Sequence, residues 1–372
     1  MQIEVRRLVL TEVRVALHEP FRISSGAVSE KQSVVVELQT AAGSFGFGEA
    51  SPMGGSFYSA ETPDSTWNAL SRALAPLLLE LRRVELPSLC ELFGEVRGEP
   101  FAKAGLEGAY WDACAASAGR PLYELLGGRA RRIASGVAIG IYPTVGELLE
   151  RVERYVADRY QRVKIKIEPG WDVEPVAEVR RRLPEVPLMV DANAAYSLAQ
   201  AEVFERLDRF GLMMFEQPLT STTLAEHAEL QRRVRTPICL DESAESAEAL
   251  EAILGLASAR IINVKVQRVG GLEPARRMHD RCAAAGVPCW LGTMPELGIA
   301  SAQGLHLAVL PNFTYPTDVE ASARWFIDDL VDPPIRIDPH GWIELPAGAG
   351  SGYRVDRAKL EAYAVRRETF ER

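Results

Sequence analysis

The first forty residues alternate between apolar and polar side chains, as in Ile3 to Leu10 and Ser33 to Leu38. This period of two is typical of half-buried strands and predicts an antiparallel meander. From about residue 61 to residue 127 the apolar positions recur at three- and four-residue steps, which predicts helices, one of them over residues 102–118. Gly127 and Gly128 then mark the end of this α+β region, because paired glycines end helices and begin loops.

Beyond residue 128, short apolar runs alternate with amphipathic helices such as 145–160 and 273–285. The candidate strands are 136–141, 162–167, 188–191, 213–216, 238–241, 261–266 and 289–291, with an eighth near 312–315. Strands that are apolar along their whole length are buried on both faces, which favours a parallel α/β architecture. About eight strand-helix units predict a (β/α)8 barrel of the TIM type.

Composition narrows the class of protein. Of the 372 residues, 47% are apolar and 25% are charged, as in soluble globular proteins, and the formal charge is −9. An acidic chain attracts neither nucleic acid nor anionic membrane surfaces, so we expect neither as a partner. The five cysteines are scattered, and we find no secretory signal and no run long enough to span a membrane. We therefore expect a cytoplasmic protein with reduced thiols.

Five charged residues each stand at or near the end of an apolar run and follow one repeat. They are Lys166, Asp191, Glu216, Asp241 and Lys265, separated by 25, 25, 25 and 24 residues. That interval is the length of one strand-helix unit, so the five side chains occupy equivalent positions at the C-terminal ends of consecutive strands. Active sites of barrels lie at this rim. One such charge could simply face water, but five at a single repeat indicate a functional site.

The types of side chain point to a particular chemistry. Three carboxylates without histidine or cysteine form a hard oxygen site, which suits Mg²⁺ or Mn²⁺ and disfavours zinc. Lys164 lies two residues before Lys166 and therefore on the same face, while Lys265 is four strands away and faces both lysines across the barrel. This arrangement fits abstraction of a proton next to a carboxylate, with the metal as Lewis acid and an amine of depressed pKa as base. Arg268 could lower the pKa of Lys265, or could merely begin the next loop.

In these residues the chain resembles the enolase superfamily, in the branch that includes muconate lactonising enzymes, and within it the family of o-succinylbenzoate synthases and N-succinylamino acid racemases. The segments that carry the resemblance are Lys164 to Asp172, Val190 to Asn193, Phe215 to Pro218, Leu240 to Ser243, Arg268 to Gly271 and Ala321 to Trp325. The likeness covers nearly the whole chain.

The resemblance implies a role for each charged residue. Asp191, Glu216 and Asp241 would bind Mg²⁺ (or Mn²⁺), and Lys166 would take the α-proton. Lys265 would stabilise the enediolate in a dehydration, or act as the second base in a racemisation, and Lys164 would assist electrostatically.

The resemblance also implies a domain organisation and partners. We expect a capping domain over residues 1–127, a modified TIM barrel over 128–331 and a C-terminal segment over 332–372 that returns to the cap. The expected partner is a small-molecule carboxylate, and a homo-oligomer is expected from the family.

Further candidates for substrate binding or for support of the site are Arg268, Asn193, Ser24, Tyr58, Met294 and Glu296. Ser24 lies in the loop 21–26 and Tyr58 in the loop 52–58, and these glycine-containing loops could close over an anionic substrate or be ordinary surface loops. Met294 and Glu296 follow the seventh strand, where the sequence Thr-Met-Pro-Glu-Leu departs from the Gly-Gly-Met-Leu-Glu of many relatives. Ala138 stands where some relatives have serine.

Three functions are open. The first is a lyase that dehydrates a cyclohexadiene carboxylate to o-succinylbenzoate in menaquinone biosynthesis. The second is racemisation of N-succinylamino acids, or of other N-acylamino acids, through the same enediolate, so the residues named above serve both. The third is a barrel that binds a metabolite without catalysis, which two opposed lysines argue against, since binding alone does not need opposed bases.

Overall fold

The computed structural model of the chain describes residues 1–54, 58–129 and 131–372. Residues 55–57 of the predicted loop 52–58 lie outside the described residues. The strands of the N-terminal region are β1 (Gln2–Ile3), β2 (Val5–Ile23), β3 (Gly26–Thr40), β4 (Phe45–Ala50) and β5 (Val84–Glu85). Its helices are α1 (Pro63–Ala69), α2 (Ala75–Glu80), α3 (Leu86–Glu95), α4 (Pro100–Ala118) and α5 (Leu122–Leu125), with a π-helical turn over Leu70–Leu74 between α1 and α2.

The N-terminal sheet packs one face against its helices. Strands β2 and β3 form a long antiparallel hairpin, and β4 pairs with β3. The inward-facing residues of the strands and the apolar stripe of the helices share one core, which includes Leu8, Leu10, Val36, Leu70 and Leu74, all fully buried. The predicted meander and helices are therefore parts of a single layered unit, which caps the barrel.

Helix α4 approaches strand β4 closely because both carry glycine at the contact. A Cβ atom on Gly48 would lie 1.9 Å from the carbonyl oxygen of Gly105, and a Cβ on Gly105 would lie 2.7 Å from the backbone nitrogen of Ala50. No side chain fits between these backbones, so the glycines set the distance between helix and sheet.

The barrel region contains the strands β6 (Arg132–Ala134), β7 (Val137–Ile139), β8 (Val163–Lys166), β9 (Leu188–Asp191), β10 (Phe215–Glu216), β11 (Ile238–Leu240), β12 (Ile261–Val264) and β13 (Cys289–Leu291). Its helices are α6 (Val145–Ala157), α7 (Val173–Arg182), α8 (Ala201–Leu207), α9 (Leu224–Arg233), α10 (Ala247–Leu256), α11 (Val266–Val269), α12 (Leu272–Ala284), α13 (Gly298–Ala308) and α14 (Ser322–Trp325). Short 3-10 turns at Leu198–Gln200 and Asp208–Phe210 flank α8. Strands β7 to β13 form one sheet in sequence order, and their described pairings are parallel.

The predicted eighth strand near residues 312–315 does not form a regular strand. Phe313 makes a single parallel bridge to Cys289 of β13, and Thr317 makes another to Ser135, just before β7. Pro311 and Pro316 flank this segment, and proline cannot donate a ladder hydrogen bond, which accounts for the irregular pairing. The segment still lies between β13 and β7, so it closes the barrel.

The remaining strands and the last helix are β14 (Val331–Asp332), β15 (Trp342–Glu344), β16 (Arg354–Val355), α15 (Arg357–Ala362) and β17 (Ala364–Glu371). Strand β17 pairs with β2 and is one of the two outer strands of the N-terminal sheet, whereas β15 pairs with β6. The C-terminal residues therefore contact both the cap and the barrel region.

Two carboxylates of the cap bind the N-termini of barrel helices. Glu49 of β4 accepts hydrogen bonds from the backbone nitrogens of Leu297 (3.1 Å) and Ala300 (3.0 Å) at the start of α13. Glu107 of α4 accepts from the nitrogens of Leu272 and Glu273 at the start of α12. Carboxylates at helix N-termini satisfy unpaired N–H groups and oppose the helix dipole. The cap is thereby fixed next to the ends of β12 and β13.

Among the described residues, no helix has both the length and the apolar composition that crossing a membrane would require.

Candidate active site

The pairing register of the barrel strands brings the predicted charged residues to one level. Lys166 pairs with Asp191, and Asp191 pairs with Glu216, so three neighbouring strands present these side chains side by side. Asp241 and Lys265 directly follow the ends of β11 and β12. All five residues are at most 6% exposed, at the mouth of the barrel beneath the cap.

The carboxylates and the ammonium groups are interleaved. Lys166 Nζ lies 2.5 Å from Asp191 Oδ2, Lys265 Nζ lies 2.8 Å from Asp241 Oδ2, and Lys164 Nζ lies 3.1 Å from Glu216 Oε2. Lys166 and Lys265 thus pair with the two outer carboxylates of the row. The structure places one lysine on either side of the carboxylate row, as the sequence predicts.

Lys265 and Lys164 do not have the depressed pKa expected of enclosed lysines. Burial is the largest influence on Lys265 and would lower its pKa, but the charges of Asp241, Tyr58 and Glu242 together raise that pKa well above its ordinary value. The pKa of Lys164 is raised in the same way by Asp318 and Glu216. Arg268 does lower the pKa of Lys265, in the direction predicted, yet less than Asp241 raises it. For these two lysines the prediction counted the cationic neighbours and left out the direct carboxylate contacts.

The pKa values of Glu216 and Asp241 are shifted in opposite directions. Burial, and then the negative charge of Asp191, raise the pKa of Glu216 to about 8. The pKa of Asp241 is held far below its usual range, because the charges of Arg268 and Lys265 outweigh burial.

Arg268 and Tyr58 form part of this cluster. Arg268, on the short helix α11, lies 3.1 Å from Asp241 Oδ1 and donates to the Tyr58 hydroxyl at 2.6 Å. That hydroxyl also accepts from Lys265 (2.8 Å) and donates to Asp241 (3.2 Å). Arg268 is therefore in contact with the site and does not merely begin a loop.

Asn193 connects the base candidate to a fourth carboxylate. Its Oδ1 accepts from Lys166 Nζ (2.9 Å), and its Nδ2 donates to Glu242 (2.9 Å). The backbone of Asn193 has a φ of 42°, in the left-handed region that asparagine tolerates better than most residues. Burial, and then the charge of Asp241, raise the pKa of Glu242 to about 7.

Two other candidates, Ser24 and Met294, lie in the β2–β3 hairpin and just after β13. Ser24 stands in the turn of the β2–β3 hairpin, whereas Phe21 of the same hairpin has its ring 5.9 Å from Lys166 Nζ. Met294 packs with Met53 and Phe101 in a small buried cluster.

Glu296 is also buried, and it accepts a hydrogen bond from the backbone nitrogen of Met294. Burial, and then the nearby charge of Glu49, raise the pKa of Glu296 to about 8.

Sequence reasoning missed several polar residues that touch the cluster, among them Asn263 and Asp318. Asn263 of β12 donates to Glu216 Oε1 at 2.7 Å, and it escaped notice because it is uncharged, although its position two residues before Lys265 places it on the same face. Asp318 lies 2.5 Å from Lys164 Nζ. The irregular eighth segment hid Asp318, since no apolar run ends there.

A cavity of about 1070 Å³ opens beside the cluster. The barrel rim contributes Asn193, Glu242 and Arg268 to its wall, and the cap contributes Phe93 and Lys103. A small organic molecule has room to reach Asn193, Glu242 and Arg268 from this side.

The chemistry of the donors fits a hard divalent cation. Glu216 Oε2 and Asp241 Oδ1 are buried and lack a hydrogen-bond partner, although each lies 3.1 Å from a cationic nitrogen. Within the described part of the chain, no three His, Cys, Asp or Glu side chains are grouped closely enough to hold a metal as they stand. The carboxylates are instead turned towards the lysines, so the ammonium groups and a cation would compete for the same oxygens.

Comparison with known proteins places this chain in a family. The model for the N-terminal domain of mandelate racemase and muconate lactonizing enzymes matches residues 5–127, and the enolase C-terminal domain-like model matches residues 147–359. The chain belongs to the enolase superfamily. The predicted barrel with an N-terminal cap and the predicted resemblance are both confirmed.

The chain is similar over most of its length to individual proteins. The chain is 44% identical over 372 residues to an o-succinylbenzoate synthase from Geobacillus kaustophilus, covering 100% of this chain and 99% of the relative. It is 42% identical over 344 residues to an N-succinylamino acid racemase from an Amycolatopsis species, covering 92% and 93%. The crystal structure of an enolase superfamily member from Listeria innocua superimposes with a TM-score of 0.94 at 34% identity, covering 99% of each chain.

Proposed function

We propose that this protein is a metal-dependent lyase of the o-succinylbenzoate synthase type, acting in menaquinone biosynthesis. It removes the α-proton of a small-molecule carboxylate to give an enediolate, whose hydroxyl group then leaves as water together with the proton that the base has taken up. The observation that carries the proposal is the row of three buried carboxylates with Lys166 at one end and Lys265 at the other. Relatives that are 37–44% identical over essentially the full length and are named o-succinylbenzoate synthase support it.

The proposed roles follow from position. Asp191, Glu216 and Asp241 would hold Mg²⁺ (or Mn²⁺), which supplies positive charge to the developing enediolate when bound. Lys166 Nζ accepts the α-proton, oriented by the side-chain oxygen of Asn193. Lys265 and Lys164 keep their protons and stabilise negative charge on the carboxylate side of the substrate.

Racemisation of N-succinylamino acids is the second candidate. Lys265 lies across the site from Lys166, so it is placed to return a proton to the opposite face of the same enediolate. The Amycolatopsis relative, named N-succinylamino acid racemase, favours this function. In a racemase Lys265 would act as a base in turn, rather than as a permanent cation.

One experiment separates these functions. The purified protein with Mg²⁺ in D₂O is offered the cyclohexadiene substrate and a panel of N-succinylamino acids, and product and α-deuterium are followed together. We expect dehydration, with all turnover and exchange lost in Lys166→Ala. Loss of racemisation with one-sided exchange retained in Lys265→Ala would show that the two lysines serve opposite faces.

Two outcomes would count against the proposal. Neither product nor exchange on any substrate would favour a barrel that only binds its ligand. Dehydration that survives Lys166→Ala would remove Lys166 from the role of base.

We further propose that the protein works in the cytoplasm as a homo-oligomer. All five cysteines are free, and four of them are buried, as expected where thiols stay reduced. The homo-oligomer rests on the family alone, and light scattering on the eluting peak of a gel-filtration column measures it directly.

A further inference from the structure

Lys164 has more carboxylate neighbours than any other lysine of the site. Its Nζ lies 2.5 Å from Asp318, 3.1 Å from Glu216 and 3.8 Å from Asp191. Glu216 and Asp191 belong to the proposed metal set, whereas Asp318 comes from the irregular eighth segment on the other side of the lysine. The closest partner of Lys164 is therefore a carboxylate that the metal does not need.

Asp318 is held in place by a buried arginine. Arg162 is 1% exposed and donates from Nη2 to Asp318 Oδ1 at 2.6 Å and to the backbone oxygens of Pro316 (3.1 Å) and Thr317 (3.3 Å). The guanidinium lies 5.1 Å from the ring centre of Trp290. Fixed on one side by Arg162, Asp318 has little freedom to move away from Lys164.

Gly136, directly before β7, leaves the space that this arginine occupies. A Cβ atom on Gly136 would lie 2.5 Å from the guanidinium carbon of Arg162, so only glycine leaves room for the side chain there. A buried arginine that requires a glycine opposite it and a tryptophan beside it is a specific arrangement, not a solvated surface charge.

A buried ammonium group must keep an anionic partner, because an unpaired charge in the interior is strongly destabilising. When a cation takes the oxygens of Glu216 and Asp191, Lys164 still has Asp318. Without Asp318, the ammonium group of Lys164 would depend on Glu216 and Asp191 alone and would compete with the cation for them.

We propose that Asp318, supported by Arg162, is a positioning residue that holds Lys164 and so leaves Glu216 and Asp191 available to a divalent cation. This inference rests on the proposed metal site and adds a residue outside it that controls its affinity.

The test is the affinity for Mn²⁺, measured on the full-length protein by following free Mn²⁺ with electron paramagnetic resonance, without substrate. We expect Asp318→Asn to weaken Mn²⁺ binding about 10- to 100-fold, as is typical when a partner of a metal ligand shell is removed. Asp318→Glu retains the carboxylate and is expected to recover part of the loss.

A matched control separates this contact from a general effect of charge. Glu320 lies two residues further on, is equally buried and pairs with Arg324 instead of Lys164. Glu320→Gln removes a carboxyl group from the same segment, and we expect its effect on the Mn²⁺ affinity to be at least about fivefold smaller than that of Asp318→Asn.

A double-mutant cycle tests whether Asp318 acts through Lys164. In a Lys164→Met background, Asp318→Asn should no longer weaken Mn²⁺ binding. If Asp318→Asn does not fold because Arg162 is left unpaired, Arg162→Met combined with Asp318→Asn replaces it in the cycle.

The results distinguish a failure of the proposed metal site from a failure of the role of Asp318. A wild-type protein that binds no Mn²⁺ would contradict the proposed metal site itself and this inference with it. Mn²⁺ binding by the wild type with unchanged affinity in Asp318→Asn, or with the same loss in the Lys164→Met background, would overturn the role of Asp318 and leave the metal site standing.

Discussion

Lys166 is oriented by two groups of different charge. Asp191 neutralises its ammonium group, while the amide oxygen of Asn193 accepts a second hydrogen bond and is itself fixed by Glu242. When Lys166 is neutral, the contact with Asn193 still defines where its nitrogen lies, because an amide oxygen accepts from an amine as well as from an ammonium group. We therefore expect Asn193 to set the position at which Lys166 accepts the proton.

Replacing Asn193 tests this role. We expect Asn193→Leu to lower kcat about 100-fold, since a small misplacement of a reacting group costs about that much. Ser197→Ala is the control, because Ser197 lies in the same loop, is exposed and contacts only Gln200 through its side chain. Steady-state kinetics of both variants are compared with the wild type, and equal kcat values for Asn193→Leu and Ser197→Ala would contradict the assignment.

Among the elements, helix α4 is the one most closely bound to the cap sheet. Its backbone touches β4 at Gly105, and its Glu107 side chain reaches the start of barrel helix α12. One helix therefore sets both the distance to the sheet and the position of the barrel beneath it.

Glycine substitutions measure how tightly α4 is packed. Gly48→Ala places a methyl group against the backbone of α4, and we expect a loss of at least about 3 kcal/mol in the free energy of unfolding. Gly255→Ala, in the exposed last turn of α10, has open space around the added methyl group and should gain about 0.5–1 kcal/mol from helix propensity. Urea denaturation gives both values, and a neutral Gly48→Ala would show that the helix can shift away from the sheet.

The regularity of the strands and helices determines which site residues the sequence could predict. The repeat of 25 residues follows directly from strand-helix units, so the order of residues alone is enough to assign Asp191, Glu216 and Asp241 to one rim. Asp318 could not be assigned in this way, because two prolines break the regular pattern of its segment. The carboxylate of Glu49 was equally invisible, since its partners in α13 lie about 250 residues further along the chain and depend on how the cap docks.

Across the whole molecule, His306 joins three regions. This residue of α13 is fully buried, accepts a hydrogen bond from the backbone nitrogen of Tyr123 in the cap and donates to the backbone oxygen of Ser351 in the C-terminal segment. Burial lowers its pKa to about 4, so the folded protein holds the imidazole neutral.

This histidine predicts a dependence of stability on pH. Because the pKa in the folded state lies below the ordinary value of 6.5, the unfolded chain takes up the proton first, and stability falls as the pH drops from 6.5 to 4. We expect wild type to lose about 3 kcal/mol more than His306→Gln between pH 7 and pH 4. Denaturation curves of the two proteins at both pH values provide the comparison, and parallel losses would exclude His306 as the cause.

The pairing of β17 with β2 also bears on how the protein is made. Strand β2 ends at Ile23, whereas its partner begins at Ala364, so more than three hundred residues must leave the ribosome before the two can meet. Domains tend to form as the chain emerges, N-terminal parts first. During synthesis the barrel strands can therefore assemble while β2 still presents an open edge, and we expect β17 to pair with that edge only after the barrel strands have left the ribosome.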